Sequence, residues 1–228
     1  MREYRIADAR EPIDESAAVA AVDLAWARPH RNGGHVTYET YGPDNGLWEF
    51  VDAIHESLVD GGWALFDADD WLLPRLIQYL QEKWGDVATT YKGGGYRRVG
   101  SITYDDNPGG GHYFTNGGYH VVFAHKGETD RESSVSAKQV TRRVPKNVRD
   151  KVEWGTLKPI APYRNWITSV MDSDELLYVP CAGTAPAALA IEQEWGNSAN
   201  YICVDSEREA KTAFEKRRDM QVTIQKTL

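Results

Sequence analysis

Near its C-terminus, this chain combines an apolar run, a turn of small residues and a second apolar run that ends on an acid. Residues 177–179 are apolar and lead into the turn at 180–184, which reads Pro-Cys-Ala-Gly-Thr. Residues 201–204 are apolar again and are followed by Asp205. A strand that enters such a turn, then a helix, then a strand ending on an acid is the arrangement that holds a nucleotide-like cofactor. The spacing predicts a cofactor site built from this turn and Asp205.

Acids also end two apolar runs in the first third of the chain. Asp23 follows residues 18–22, and Asp67 follows residues 63–66. Ligands of open α/β sheets bind at the carboxyl ends of the strands. Asp23, Asp67, Val179 and Asp205 are therefore predicted to converge on one crevice.

The segments that position these residues alternate between helices and strands. Apolar residues at helical spacing predict helices over 47–59, 71–83, 160–170, 185–195 and 206–218. Short apolar runs predict strands over 18–23, 63–67, 97–104, 119–125, 176–180 and 200–205. Gly61 and Gly62 are expected to stop the first helix, and residues 105–118, with Pro108 and five glycines, are expected to form a loop. This alternation predicts a mostly parallel sheet covered by helices on both faces.

The order of these segments resembles the circularly permuted (beta-group) DNA methyltransferases, which modify adenine N6 or cytosine N4. The family's TxKPxxLxxxxI element is matched by Thr156, Lys158 and Pro159, with Ile167 at its end. In this group the catalytic tetrapeptide lies ahead of the cofactor motif, and the resemblance covers nearly the whole chain. It implies a Rossmann-like class I methyltransferase fold with a mostly parallel seven-stranded sheet in permuted motif order.

The resemblance also implies S-adenosylmethionine as the methyl donor. In the family, the acid in the position of Asp205 accepts hydrogen bonds from the ribose hydroxyls. The family's DPFxGSGTT turn is matched in part, because Val179 replaces its leading Asp, Ala185 replaces a glycine and Pro186 replaces a threonine. Ala185 would crowd the backbone if that position requires positive φ. The residues assigned to the cofactor site are Asp8, Asp23, Thr156, Lys158, Pro180, Cys181, Ala182, Gly183, Thr184, Asp205 and Ser206.

The catalytic tetrapeptide of the family, [DNS]-P-P-[YFW], is matched by Asp23-Leu24-Ala25-Trp26. The resemblance implies that the Asp23 carboxylate and the Leu24 carbonyl accept the hydrogens of the target amine, while Trp26 stacks on a base rotated out of the duplex. Leu24 and Ala25 replace both prolines, which keeps these atoms but removes the stiffness that aims the carbonyl. Aspartate in the first position favours adenine in the family.

Several alternatives stay open at this point. The chain is expected to be a DNA adenine-N6 methyltransferase, with a non-catalytic binding protein of the same fold, or an RNA adenine methyltransferase, as the other interpretations. Asp205 or Ser206 would also suit a helix cap, and Trp26 would suit a packed core.

The charge distribution indicates where nucleic acid would bind. The net charge of −8 is unusual for a nucleic-acid-binding protein, but residues 131–151 carry seven basic and two acidic side chains. A basic segment on an acidic body suits contact with the phosphates of double-stranded DNA. The alternative is a solvated, mobile loop, which Ser133, Ser134 and Ser136 favour. The residues assigned to DNA contact are Arg31, Lys138, Arg142, Arg143 and Lys146.

Composition sets the outer limits. A chain of 228 residues with 41% hydrophobic content can form one domain over residues 1–228. No apolar run is long enough to span a membrane and no secretory signal is visible, so a cytoplasmic protein is expected. Cys181 and Cys203 fall in predicted core strands, so neither a disulfide nor a metal site is expected. The sequence leaves open whether the protein is a monomer or a homodimer.

Overall fold

The structure is a computed structural model that describes residues 1–24, 46–85, 93–105 and 117–226, with side chains to residue 221. Trp26 and Arg31 lie outside these ranges. The strands are β1 (Arg2–Ile6), β2 (Ala17–Asp23), β3 (Leu58–Ala68), β4 (Gly95–Tyr104), β5 (Gly118–His125), β6 (Lys138–Thr141), β7 (Leu176–Pro180) and β8 (Asn200–Asp205). The helices are α1 (Leu47–Ser57), α2 (Leu73–Lys83), α3 (Lys146–Val152), α4 (Ala161–Ile167), α5 (Pro186–Trp195) and α6 (Arg208–Lys226).

The strands form one sheet in the order β1-β8-β7-β2-β3-β5-β4-β6. Only β5 runs antiparallel to its neighbours within the described ranges. The expected α/β class and mostly parallel sheet are confirmed. The described sheet has eight strands instead of seven. One of them, β6, lies in the basic segment, where exposed Lys138 and Val140 lack the apolar alternation that signals a strand.

The two faces of the sheet are buried beneath separate helix layers. The six residues of β2 before Asp23 are all buried. Val19 and Ala21 pack in the cluster that holds α4 and α5, whereas Ala20 and Val22 pack in the cluster that holds α1 and α2. Burial on both faces explains why this strand is a continuous apolar run without alternation.

The first helix ends earlier than its sequence predicts. It stops at Ser57, and β3 begins at Leu58, so Gly61 and Gly62 lie inside the strand instead of ending the helix. Gly61 has φ of 77° and its N–H donates to the Lys126 carbonyl at 2.7 Å. Next to these glycines the register between β2 and β3 shifts. The two glycines therefore form an irregularity in β3.

The basic segment contains regular structure, which the loop interpretation did not anticipate. It holds β6, paired with β4, and α3. Buried Val152 packs with Ala213 of α6, which holds α3 against the body. Across the described residues, no helix has the length and apolar character needed to cross a bilayer.

Seven strands end at the same side of the sheet, which we call the carboxyl end of the sheet. They are β1, β8, β7, β2, β3, β4 and β6, because all run in one direction, while β5 begins there. Asp23 is the last residue of β2, Asp67 is the second-last residue of β3, and Asp205 is the last residue of β8. The topology therefore brings these three acids to one side of the molecule, as their strand-end positions predict.

Replacing Gly100 with Ala should detach β6 from the sheet. A Cβ on Gly100 would lie 2.1 Å from the Ala137 carbonyl oxygen and 2.7 Å from the Phe123 ring. The backbone must move to relieve this clash, so we expect a loss of about 1–3 kcal/mol in the free energy of unfolding. Denaturant titration measures that loss, and hydrogen exchange at residues 138–141 should accelerate. Val140→Ala, at a side chain that is 70% exposed, is the control and should have little effect. Unchanged exchange in Gly100→Ala would contradict the packing described.

Candidate active site

Two carboxylates lie side by side at the carboxyl end of the sheet. Asp23 is paired in register with Asp67 on the neighbouring strand. Asp67 shares its side of β3 with Leu65, and Asp23 shares its side of β2 with Ala21, so both point to the face that α4 covers. Like charges directly opposite one another on neighbouring strands repel. The pair therefore needs a cation.

Lys158 supplies that cation. Its Nζ forms an ion pair with Asp23 Oδ1 and lies 2.6 Å from Asp67 Oδ2. The Lys158 side chain is 5% exposed and that of Asp67 is 2% exposed, whereas that of Asp23 is 46% exposed. Lys158 thus bridges the two carboxylates, with Asp67 in the core at one end of the bridge and Asp23 in contact with solvent at the other.

Two tyrosines complete the buried end of the bridge. Tyr163 of α4 donates its hydroxyl hydrogen to Asp67 Oδ2, and its hydroxyl lies 3.1 Å from that of Tyr119. The Tyr119 ring centre is 4.9 Å from Lys158 Nζ, which stabilises the ammonium further. Asp67 Oδ1 has no hydrogen-bond partner among the described residues.

Burial and charge shift the titration of both buried groups. Burial, the largest effect, and the nearby Asp23 raise the pKa of the Asp67 carboxyl to about 6, although Lys158 and Tyr163 act in the opposite direction. Burial by itself would lower the pKa of Lys158, but the two carboxylates outweigh it, and the pKa is raised. Lys158 is therefore a cation at neutral pH.

The small-residue turn after β7 has an unusual backbone. Cys181, Gly183 and Ala185 have φ of 49°, 49° and 42°, in the left-handed region. The sequence concern about Ala185 is confirmed, because a non-glycine residue there carries strain of about 1–2 kcal/mol. The turn is nevertheless fixed: the Ala182 N–H donates to the Val204 carbonyl at 3.0 Å, and the Tyr4 hydroxyl donates to the Gly183 carbonyl at 2.8 Å.

Asp205 holds the same turn from the neighbouring strand. Its Oδ2 accepts the Gly183 N–H at 2.8 Å, and its Oδ1 accepts the Glu207 N–H at 3.0 Å, just before α6 begins at Arg208. The helix-cap interpretation thus describes part of what Asp205 does. Since a carboxylate has about four acceptor sites, each oxygen retains capacity for a further hydrogen bond. Ser206 is exposed beside it.

A buried arginine on α6 joins the turn to the segment that carries Lys158. Arg217 Nη1 donates to Thr184 Oγ1 at 2.9 Å, and Nη2 donates to the Lys158 carbonyl at 2.6 Å. Burial lowers the pKa of this guanidinium to about 10, so it remains charged at neutral pH. A continuous set of contacts therefore runs from Asp23 through Lys158 and Arg217 to the turn after β7.

The other residues assigned to the cofactor site have varied surroundings. Asp8 follows β1 at the same end of the sheet and is paired with Arg10. Thr156 is exposed and Pro180 ends β7. Leu24, assigned to the catalytic tetrapeptide, is buried. The pKa of the Cys181 thiol is raised by burial and then by the charges of Asp205, Asp23 and Asp8. These acids are thus near enough to the turn to act on one thiol, whereas Thr156 makes no described contact with them.

The residues assigned to DNA contact that the structure describes are exposed. Lys138 lies on β6, Arg142 and Arg143 follow it, and Lys146 begins α3. The Arg143 guanidinium lies 4.8 Å from the Tyr104 ring centre, and Arg142 Nε is 4.0 Å from Asp105 Oδ2. Because β6 runs parallel to β4, Arg142 and Arg143, which follow its last residue, lie at the carboxyl end of the sheet. The register through Ser101 and His120 places Lys138 level with Ala68, the last residue of β3.

Sequence reasoning missed three residues that build the site: Tyr119, Tyr163 and Arg217. It placed Asp67 at the crevice but did not predict its contacts with Lys158 and Tyr163. The alternation of side chains along β2 and β3 would have put Asp67 beside Asp23 once the register was known. Arg217 gives no sequence signal, since it stands between Lys216 and Arg218 on a charged helix.

Solved structures with similar folds include proteins that act on DNA. No family model matches the chain, and no curated protein matches it. M1.HpyAVI in complex with SAM superposes with a TM-score of 0.68 at 15% identity, covering 95% of this chain and 98% of that one. PvuII DNA methyltransferase, which is cytosine-N4-specific, gives 0.69 at 12% identity, covering 97% and 90%.

A third structure has the same overall shape. TTHA0409 from Thermus thermophilus, provisionally described as a DNA modification methylase and complexed with S-adenosyl-L-methionine, gives a TM-score of 0.61 at 14% identity, covering 97% of this chain and 95% of that one. At such identities the likeness establishes the fold, which is the Rossmann-like class I methyltransferase fold.

Replacing Asp67 with Asn should change how stability depends on pH. The pKa of this carboxyl is raised from 3.8 to about 6 in the folded protein. A carboxyl whose pKa is raised on folding contributes its full stabilisation only when the pH is below its pKa in the unfolded chain. This contribution is lost as the pH rises through its pKa in the folded protein. Between about pH 4 and pH 6 the wild type should lose on the order of 1–3 kcal/mol relative to Asp67→Asn.

Denaturant titrations at stepped pH measure this difference. Asp60→Asn, which alters an exposed acid near the start of β3, is the control and should keep the wild-type dependence. Parallel curves of unfolding free energy against pH for the wild type and Asp67→Asn would show that burial does not raise the pKa of Asp67.

Proposed function

We propose that this protein is an S-adenosylmethionine-dependent DNA methyltransferase that acts on an exocyclic base amine, adenine N6. The observation that carries the proposal is that Asp23, the last residue of β2, and the turn at 181–184, which follows β7, lie at the ends of neighbouring parallel strands. Asp23 and Gly183 are 160 positions apart in the sequence, and Asp23 is joined to the turn in space through Lys158 and Arg217. In this arrangement the site for the methyl donor and the site for the target amine can share one crevice.

The chain order of the strands supports the permuted family. The strands that carry the turn and Asp205 come last in the sequence, yet they lie between β1 and β2 in the sheet. The segment with Asp23 precedes the cofactor segment, as in the circularly permuted group.

The turn suits a methyl donor of nucleoside type. Gly183 has φ of 49°, in the left-handed region that glycine adopts without strain, and a Cβ there would make only ordinary van der Waals contact with the Trp154 indole, at 3.6 Å. Asp205 is half-buried at a strand end and retains acceptor capacity for ribose hydroxyls. Bound S-adenosylmethionine would supply a methyl group activated by its sulfonium centre. The residues of the turn, Asp205 and Asp8 are those proposed to hold it.

The chain's own residues would then position the target amine. The amine lone pair is delocalised into the base, so the enzyme must hold the nitrogen in line with the methyl group. Asp23 is suited to accept an amine hydrogen because its carboxylate is half-exposed. The Leu24 carbonyl and Trp26 are proposed for the second acceptor and for stacking on the flipped base. The proton released after transfer leaves by way of the Asp23 carboxylate to solvent.

The basic segment is proposed as the DNA-contacting surface. Lys138, Arg142 and Arg143 are exposed at the carboxyl end of the sheet, where Asp23 ends β2, and Lys146 is exposed at the start of α3. Phosphate contacts there would bring double-stranded DNA to the crevice. Arg31, outside the described residues, is proposed to belong to the same surface.

Methyl transfer should depend on Asp23. We expect the wild type to transfer labelled methyl groups from S-adenosylmethionine to duplex DNA, and nucleoside analysis to identify N6-methyladenine. Asp23→Ala should lower kcat at least about a hundredfold, because the amine loses its acceptor and its alignment. Asp14→Ala, at an exposed acid, is the control and should retain the wild-type rate.

Other outcomes separate the alternatives. Transfer to RNA but not to DNA would identify an RNA methyltransferase. Binding of DNA without any methyl transfer would identify a non-catalytic relative, and full activity in Asp23→Ala would show that Asp23 has no catalytic role.

Two glycine substitutions should distinguish the cofactor turn from ordinary backbone strain. Gly183 and Gly196 have similar φ of 49° and 54°. Alanine at either position should lower the free energy of unfolding by at least about 1 kcal/mol. Only Gly183→Ala should also weaken S-adenosylmethionine binding, by about tenfold or more, as measured by calorimetric titration. Equal affinity for S-adenosylmethionine in the two variants would show that the methyl donor does not bind at the turn.

A further inference from the structure

We propose that Lys158 is a positioning residue for methyl transfer, whose ammonium, anchored on buried Asp67, fixes the Asp23 carboxylate that accepts the target amine. This inference rests on the proposed function and deepens it. The family motif assigns Lys158 to the cofactor site, but in this structure its ammonium is bound to Asp23 and Asp67. Lys158 therefore acts on the substrate through Asp23.

The need for such a residue comes from the tetrapeptide. Asp23 is the last residue of β2, and the chain continues with Leu24 and Ala25 where the family has two prolines. Proline would fix its own φ and restrict the residue before it. Without that restriction the backbone around Asp23 and Leu24 has more freedom, and the half-exposed Asp23 carboxylate moves with it. An ion pair to a buried, immobile cation removes this freedom.

The Lys158 backbone is held on both sides of its peptide unit. Its carbonyl accepts a hydrogen bond from Arg217 Nη2 at 2.6 Å. Pro159 follows it and biases Lys158 towards an extended conformation. The base of the side chain is thus fixed before the ammonium makes any contact.

The Lys158 ammonium is fixed at its other end by buried groups. It donates to Asp67 Oδ2, which also accepts the Tyr163 hydroxyl, and the Tyr119 ring lies against it. Asp67 and Tyr163 are almost completely buried, so they have little room to move. Lys158 has three N–H donors, and its ammonium is in contact with two carboxylates and the Tyr119 ring. This leaves the ammonium little freedom to turn away from Asp23.

The matched test uses the double variant Lys158→Met/Asp67→Asn. Removing Lys158 alone would leave a buried carboxylate without its cation, which is strongly destabilising, whereas replacing both members of a buried pair is much better tolerated. We expect the double variant to fold and to bind S-adenosylmethionine within about threefold of the wild type, while kcat on duplex DNA falls by about a hundredfold. Asp67→Asn alone keeps the cation on Asp23 but removes its buried anchor, so kcat should fall by less than in the double variant. Asp60→Asn, at an exposed acid outside the site, is the control and should keep the wild-type kcat.

A spectroscopic readout tests the contact without any activity. With ¹⁵N-labelled lysine, the buried Lys158 ammonium should give a signal that exchanges slowly with water and is absent in the double variant. Asp23→Asn should shift that signal, because the ammonium loses one carboxylate. An unshifted signal would overturn the proposed contact.

The outcomes separate this inference from the function on which it rests. If the wild type methylates DNA and the folded double variant retains full kcat, Lys158 has no positioning role, although the methyltransferase function stands. If the wild type neither binds S-adenosylmethionine nor transfers methyl groups, the proposed function fails and the positioning role fails with it.

Discussion

Two carboxylates on neighbouring strands share one ammonium group, and the architecture of the candidate site follows from that contact. Asp23 and Asp67 are opposite one another in register, on the same face of the sheet, so without a cation they would repel. Lys158 removes the repulsion and joins a half-exposed acid to a buried one. Since the lysine comes from a segment about ninety residues further along the chain than Asp67, the same ion pair fastens the late part of the chain to the early part.

The rest of the fold keeps this contact and the turn at 181–184 in a fixed relation. Lys158 is bound through its side chain to the strand that ends at Asp23 and through its carbonyl to Arg217. Arg217 in turn binds Thr184 in the turn, which Asp205 and Tyr4 hold from other directions. Strain at Cys181 and Ala185 is stored in this turn, and it persists because the surrounding hydrogen bonds determine the conformation. The helix α6 thereby stabilises the site through Arg217, although the acids of the site lie at the ends of strands.

Much of this could be predicted from the sequence, because strand-end acids and helix periodicity are local signals. The strands that end at Asp23 and Asp205 and the turn at 180–184 are where the sequence puts them. The partner of Lys158 could not be predicted, since it depends on the register between β2 and β3, which shifts near Gly61 and Gly62. Likewise β6 lacks apolar alternation, and Arg217 resembles its solvent-facing neighbours in sequence while being 4% exposed in the fold. Contacts of this kind come from tertiary packing and leave no local pattern.

A crystal structure of the protein with S-adenosylmethionine bound is the most direct measurement of whether the turn and the acid form one site. We expect the donor's methionine part to lie along residues 181–184, its ribose at Asp205, and its methyl group turned towards the Asp23 carboxylate, with Lys158 still bridging Asp23 and Asp67. A donor bound elsewhere on the protein, or one whose methyl group points away from Asp23, would contradict the site proposed at the carboxyl end of this sheet.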